Sequence, residues 1–277
     1  MKKKRNVKKI LLITAAVLLG LYLFLIIPRL FNRPDMSSLR AHNFAHRGYH
    51  DNENGIPENS LLSFEQAIAH GYGIELDVQL SSDGVAMVFH DKDLERVCGV
   101  SGAPWDYTAA ELKELRLFGT EERIPTLAEA LELIDGQVPV LVEYKMDKVD
   151  TGVCAAGEAL LKDYEGEYYM QCFHPLALMW YRKNAPEVAR GQLMQDYMKQ
   201  EQHAGDPVYF LLSRMVANVA TRPDFISYRY SDEVNVSIRI CELLGARMLA
   251  WTLPGETGSF TADIAYDAFI FNRVPTE

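Results

Sequence analysis

The stretch GIELDVQLSSDGVAMVFHD, Gly73 to Asp91, decides how the rest of the chain is read. Apolar and polar residues alternate through it, as in a half-buried strand, yet its polar face carries Glu75 and Asp77 and its far end carries His90. Between LDVQL and VAMVFH stands only SSDG, far short of the roughly dozen residues that a parallel crossover needs. Asp-Gly instead favours a two-residue hairpin turn, so the chain folds back antiparallel. With Asp83 and Gly84 as the central turn residues, Ser82 opposes Val85, Leu80 opposes Met87, Val78 opposes Phe89 and Asp77 opposes His90. Glu75, Asp77 and His90 then share one face, and Ile74, Leu76, Val78, Met87 and Phe89 form the other.

On either side of this hairpin, strand-like and helix-like segments alternate. Strands are expected at 43–46, 74–78, 139–144, 167–173, 189–194, 224–230, 247–253 and 268–272. Helical patterns separate most of them: SLLSFEQAIAHG, LAEALELIDG, GVCAAGEALLKDY, PLALMWYRKN, FLLSRMVANVA and EVNVSIRICELLG. Such alternation means parallel strands joined by crossovers, and eight of them suggest an α/β fold of the TIM type, a closed (β/α)8 barrel. A doubly wound open sheet is the competing arrangement, but no GxGxxG or Walker loop follows any strand.

Residues 10–27, ILLITAAVLLGLYLFLII, carry no charge and as a helix would span roughly 27 Å, close to a bilayer core. Six Lys and Arg residues precede them, which by the positive-inside rule keeps the N-terminus cytoplasmic and the remaining chain outside. The run exceeds the usual length of a signal-peptide core and no small-x-small cleavage site follows, so a retained anchor is favoured over a cleaved leader. The chain of 277 residues thus divides into a basic tail (1–9), a transmembrane helix (10–31), a linker (32–42) and one barrel domain (43–277). Beyond the first 33 residues 20 basic side chains face 38 acidic ones, a surface that repels nucleic acid. Cys98, Cys154, Cys172 and Cys241 are scattered without metal or redox spacing.

In barrels of this type the site lies at the C-terminal ends of the parallel strands. The first strand ends in His46-Arg47-Gly48, the second holds Glu75 and Asp77, its hairpin delivers His90, and the third parallel strand ends in Glu143-Tyr144-Lys145. Three carboxylates, Glu75, Asp77 and Glu143, converging from neighbouring strands would form an all-oxygen cage suited to a divalent cation, Mg²⁺ or Ca²⁺. His46 and His90 are an acid/base pair, and Arg47 and Lys145 add cations that match an oxyanion. The combination points to phosphoryl chemistry.

The ordered set FAHRG (44–48), PENS (57–60), GIELDVQLSSDG (73–84), VFHD (88–91), IPTLAEAL (124–131) and VEYK (142–145) resembles the glycerophosphodiester phosphodiesterases. The resemblance runs from about Asn43 to Pro275 and is dense only through Lys145. It implies a TIM-type barrel, a divalent cation at Glu75, Asp77 and Glu143, catalytic histidines at His46 and His90, and an insertion, 92–123, that caps part of the mouth and shapes the leaving-group pocket. Later segments depart from the family pattern at Cys172 and His174 of MQCFHP (170–175) and at Ala268 and Asn272 of DAFIFNRVP (267–275), whereas AWT (250–252) keeps its Trp-Thr. Trp251 is a candidate wall for glycerol or head group. The expected activity is metal-dependent hydrolysis of glycerophosphodiesters, small or polymeric, to an alcohol and glycerol 3-phosphate at an extracytoplasmic site, with His46 as base and His90 as acid. The competing readings are lysophospholipase D-like hydrolysis of a lipid phosphodiester and a barrel that binds without turnover.

Overall fold

In a computed structural model the described residues, 2–255 and 265–273, form a closed barrel of eight parallel strands. The strands are β1 (Phe44–Ala45), β2 (Gly73–Leu80), β4 (Val140–Tyr144), β5 (Tyr168–Cys172), β6 (Arg190–Met194), β7 (Phe225–Arg229), β8 (Arg247–Leu253) and β9 (Ala268–Phe271), with β3 (Ala86–Val88) antiparallel to β2. Closure is made by β1, which pairs with β2 on one side and β9 on the other. Every strand expected from the alternating pattern is present within a few residues. Val274 and Pro275, the end of the expected resemblance, lie outside the described residues.

The crossover helices are α3 (Leu61–Ala69), α4 (Leu127–Ile134), α5 (Gly152–Leu161), α6 (Pro175–Asn184), α7 (Pro207–Ser213), α8 (Asn218–Thr221) and α9 (Val236–Leu243), preceded by α1 (Lys2–Ile26) and α2 (Ser37–Ala41). Their starts follow local chemistry: Ser60 and Thr126 cap α3 and α4 through capping boxes, and Pro175 and Pro207 open α6 and α7. FLLSRMVANVA, expected as one helix, is two, because Met215 adopts a left-handed backbone (φ 60°) between α7 and α8.

The hairpin register differs from the expected one by a single residue. Val78 pairs with Val88, Gln79 with Met87 and Leu80 with Ala86. The loop holds three residues, not two: Gly84 N–H donates to Ser81 O, and Ser81 N–H donates to Val85 O, with Gly84 at φ +81°. This is a turn followed by a left-handed glycine, which an SSDG loop supports as readily as a two-residue turn. Asp77 therefore opposes Phe89, not His90, as the bond from Phe89 N–H to Asp77 O shows. Met87 and Phe89 turn away from Leu76 and Val78. They join Leu94, Val97, Leu112 and Leu117 in a separate apolar cluster that seats the 92–123 insertion against the hairpin.

The expected linker is part of the fold. Helix α1 ends at Ile26, ahead of the boundary expected at 31, and Pro28 follows. Over 32–42 the chain runs beneath the barrel, where Met36 and Leu39 complete the apolar layer built by Phe44, Leu141, Tyr169, Phe225 and Leu249 at the N-terminal strand ends, the floor. Leu39 N–H also donates to Tyr169 Oη (3.1 Å). A Leu39→Ala substitution should therefore cost about 2–5 kcal/mol of unfolding free energy, read by denaturant melts. A change within about 0.5 kcal/mol, the ordinary surface range, would show the segment to be a tether after all.

Candidate active site

β1 ends where His46, Arg47 and Gly48 turn over the mouth. Arg47 takes φ 55° and Gly48 φ +78°, and a Cβ at Gly48 would sit 2.3 Å from Ser63 Oγ, so glycine is required there. A left-handed Arg47 is a strained conformation held by its surroundings. Its own N–H donates to Glu75 Oε2 (3.0 Å), its guanidinium bonds Glu58 Oε1 (2.7 Å), and its carbonyl accepts from Asn59 N–H (2.8 Å).

The PENS segment thus does both of the things its residues suit. Ser60 caps α3, while Glu58 and Asn59 tie the first loop to the site. Asn59 Nδ2 donates to Asp77 Oδ2 (2.8 Å), and Asp77 N–H donates back to Asn59 Oδ1 (3.3 Å).

Glu75, Asp77 and Glu143 are all buried, and one oxygen from each lies within 4.8 Å of the others. Strand pairing brings this about, since Asp77 stands beside Glu143 in the β2–β4 register and Glu75 is two residues earlier on the same face. Burial together with the repulsion of Asp77 and Glu143 pushes the Glu75 carboxyl well above its usual range. Burial also raises Glu143, despite Lys145 beside it. Asp77 is desolvated too, but Lys145, His90 and Arg47 overcome that and hold it low.

Lys145 bonds Glu143 and pairs with Asp77 Oδ1 at 2.9 Å, so one ammonium is shared among three buried carboxylates. A buried all-oxygen trio with that much uncancelled charge is what a hard divalent cation would satisfy, so the residues fit Mg²⁺ or Ca²⁺. Lys145 stands with the carboxylates, and Arg47 keeps an unpartnered buried Nε near Asp77 (3.6 Å).

A small cavity of about 120 Å³ opens over this trio, lined by His46, Arg47, Glu75, His90, Glu143, Lys145 and Trp251, among others. Of the residues expected at the site, Asp77 alone is set behind the lining. His46 is partly buried. Burial, aided by the Arg47 charge, pulls its pKa down to about 3, so the ring is neutral near pH 7. Its Nδ1 is 2.8 Å from Asn272 Oδ1, an acceptor, which places the ring proton on Nδ1 and leaves the Nε2 lone pair free. His90 enters from the hairpin end with Nδ1 against Asp91 Oδ1 (2.7 Å), and Asp91 and Glu58 are both gripped by Arg96. Against its partial burial, Asp91 is held low by His90 and Arg96. Glu58 likewise falls to about 2 under Arg96 and Arg47 despite desolvation.

Trp251 is pinned by Nε1 bonds to Ser227 O (2.9 Å) and Met194 O (3.2 Å) and meets Phe173 edge-on. It is a fixed wall. Beside the small cavity runs a groove of about 900 Å³ that includes His90, Glu143, Lys145, Tyr197, Tyr209 and Leu212. The insertion contributes Lys92 and Asp93 to it and otherwise packs on its own core, a smaller part in the mouth than expected. His174 lines the same groove and caps α6, while Cys172 is a buried thiol bonded to Tyr144 O. All four cysteines are free.

The sequence marks Asn272 only as a departure from the family pattern and gives Asp91 and Arg96 no role at the site. Asp91 adjoins His90 in VFHD, and Asn272 follows β9 as His46 follows the neighbouring β1, so strand order was the available signal.

The fold and site define a TIM-type barrel with a carboxylate cage and paired histidines at its mouth. A sequence profile of the Glycerophosphoryl diester phosphodiesterase family matches residues 46–274, and the chain belongs to that family. It is 36% identical over 163 residues to a glycerophosphodiester phosphodiesterase of Caldanaerobacter subterraneus subsp. tengcongensis, spanning 54% of this chain and 65% of that one. It is also 33% identical over 171 residues to one of Bacillus altitudinis (57% and 68%). Among solved structures, an Oleispira antarctica phosphodiesterase in complex with the product sn-glycerol-3-phosphate superposes with a TM-score of 0.63 at 25% identity, over 83% of this chain and 92% of that one. A Silicibacter pomeroyi protein shares the fold (TM-score 0.67, 22% identity, 84% and 90%).

Asp91→Asn keeps a neighbour for His90 but removes its charge, and should lower kcat by about 10- to 100-fold with a smaller change in KM, in keeping with outer-shell partners of this kind. An unchanged kcat would remove Asp91 from the machinery. Arg96→Ala has a pH signature in melting temperature. Glu58 falls below its unfolded value on folding, so its contribution is present above about pH 4.5 and lost as pH falls toward 2. The deficit of the variant against wild type should shrink over that window.

Proposed function

We propose that the chain is a metal-dependent glycerophosphodiester hydrolase that releases an alcohol and glycerol 3-phosphate. The observation that carries this is the single cavity in which a neutral His46, an Asp91-oriented His90 and the carboxylates Glu75 and Glu143 meet, with Asp77 completing the trio behind them. The product named for the Oleispira structure supports the substrate class.

In this reading Glu75, Asp77 and Glu143 hold a Mg²⁺ or Ca²⁺ ion, which supplies charge neutralisation at the phosphodiester oxygens. Arg47, whose Nε has no partner, faces the same oxygens, and Lys145 keeps the cage from excess negative charge. His46 takes a proton from the nucleophile through Nε2. His90, aligned by Asp91, gives a proton to the oxygen of the departing alcohol. Trp251 closes one side of the pocket and the 900 Å³ groove leads away from it.

Apolar α1, whose 21-residue span from Asn6 to Ile26 contains an 18-residue stretch of mean hydropathy 2.5, is read as a membrane anchor. The basic residues ahead of it keep the N-terminus in the cytoplasm and the barrel outside. The groove is the one feature that favours a lipid phosphodiester of the lysophospholipase D type, because Val208, Tyr209 and Leu212 line it. A binding barrel without turnover would be expected to lack part of the site, and each expected residue is present.

The full-length enzyme should release glycerol 3-phosphate from glycerophosphocholine with Mg²⁺ or Ca²⁺ and stop with a chelator. His46→Ala and His90→Ala should each lose about 10²- to 10⁴-fold. Full activity in either variant would sink the acid/base assignment. Failure to hydrolyse any of a soluble and lipid phosphodiester panel would favour the binding reading.

A further inference from the structure

Helix α1 meets the barrel in a fixed register. Tyr22 Oη lies 2.7 Å from Ser237 Oγ, and the Ile26 carbonyl accepts from Cys241 Sγ at 3.3 Å; each pair is separated by 215 positions. Two contacts of equal offset, one turn apart on both helices, mean that α1 and α9 run side by side in the same direction. α9 leaves the C-terminal end of β7 and returns to the start of β8, so it descends from the mouth to the floor. α1 descends the same way. Beyond its end, Arg29 reaches Asp224 just before β7, and Arg33 reaches Gly245 just before β8, both at the floor. The free N-terminal turns of α1 therefore project past the catalytic mouth.

The docked turns leave a short span. Ile10 to Leu21, ahead of Tyr22, measures roughly 18 Å as a helix, against about 30 Å for a bilayer core. A membrane crossed by α1 must then come down onto the rim of the barrel, and that rim is apolar. Val208, Phe210 and Leu211 of α7 are exposed, as is Val236, the first residue of α9. Tyr209 and Leu212 of α7 and Tyr22 and Leu25 of α1 pack against the same buried core, so α7 and the anchor lie on the same side of the barrel. Leu30 with its neighbour Phe31, and singly Leu160 and Leu243, are also exposed at the floor, as scattered surface side chains commonly are.

We propose that the catalytic mouth faces the bilayer in which α1 is anchored, with α7 and the start of α9 seated in the lipid interface, so that substrate enters the groove from the membrane side. The proposal rests on reading α1 as an anchor. It makes the barrel an enzyme that works against a surface, its floor turned outward. Tyr209 and Leu212 line the groove and border the seated rim, which gives a phosphodiester lying at the lipid–water boundary a short path to His90.

The test uses the full-length chain, with Cys98→Ser as background, reconstituted in liposomes containing a lipid with a nitroxide-labelled head group. Bimane is attached to Leu211→Cys, Val236→Cys or Leu243→Cys, all at exposed positions. The nitroxide should quench labels at 211 and 236 several-fold more than at 243. Equal quenching, or stronger quenching at 243, would show the mouth turned elsewhere. Vesicle-bound protein with no quenching at any position would mean that a second copy or another protein covers the rim, which also overturns the proposal. A chain that does not sediment with the vesicles would overturn the anchor reading itself, an outcome distinguishable from a wrongly facing mouth.

Discussion

The site is organised around a charge that its own side chains do not cancel. Glu75, Asp77 and Glu143 are taken out of water by the strands that carry them, and a buried carboxylate without compensation costs several kcal/mol. Lys145 meets two of them and Arg47 approaches from the side, but Arg47 is shared with Glu58. The remaining imbalance shows in the upward push on Glu75 and Glu143. A divalent cation held by the trio would relieve it.

Much of the surrounding structure serves to hold that imbalance in place. Parallel pairing of β2 and β4 sets Asp77 beside Glu143, and closure by β1 brings His46 and the left-handed Arg47 over the cage. Asn59 pins Asp77 from below the first loop, and Glu58 anchors Arg47 and Arg96 together. Through Arg96 and Asp91 the same network fixes His90. The two histidines are thus set up differently: the pKa of His46 is lowered by desolvation and by Arg47 and its ring is oriented by an amide, while His90 is oriented by a carboxylate. In the proposed mechanism the first serves as base and the second as acid.

The strands were legible because each is a short apolar run bounded by turn residues, and the reactive groups sit where parallel strands end. The hairpin register was not, since SSDG supports both a two-residue turn and a three-residue loop with glycine left-handed. The expected pairing of Asp77 with His90 rested on that choice and fails with it; the family resemblance placed His90 at the site independently. Its final position comes from the residues after β3, where Asp91 and Arg96 take hold of it. The docking of α1 was hidden for another reason. A run that is apolar on every side has no stripe to show which face meets protein, and the polar contacts of its last turns are made by its own backbone carbonyls, which accept from Asn218, Arg222 and Cys241, and by Tyr22 with Ser237. Likewise Leu39 in a short polar segment gives no periodic signal, yet it closes the barrel floor.

The central claim is that the carboxylate trio is a cation site. Crystals grown with Ca²⁺ and measured at a wavelength where calcium scatters anomalously test it most directly. The account predicts one strong peak about 2.3–2.6 Å from oxygens of Glu75, Asp77 and Glu143, lost in a Glu143→Gln crystal grown alongside. A crystal with no such peak, and with the Lys145 ammonium alone among the three carboxylates, would contradict it.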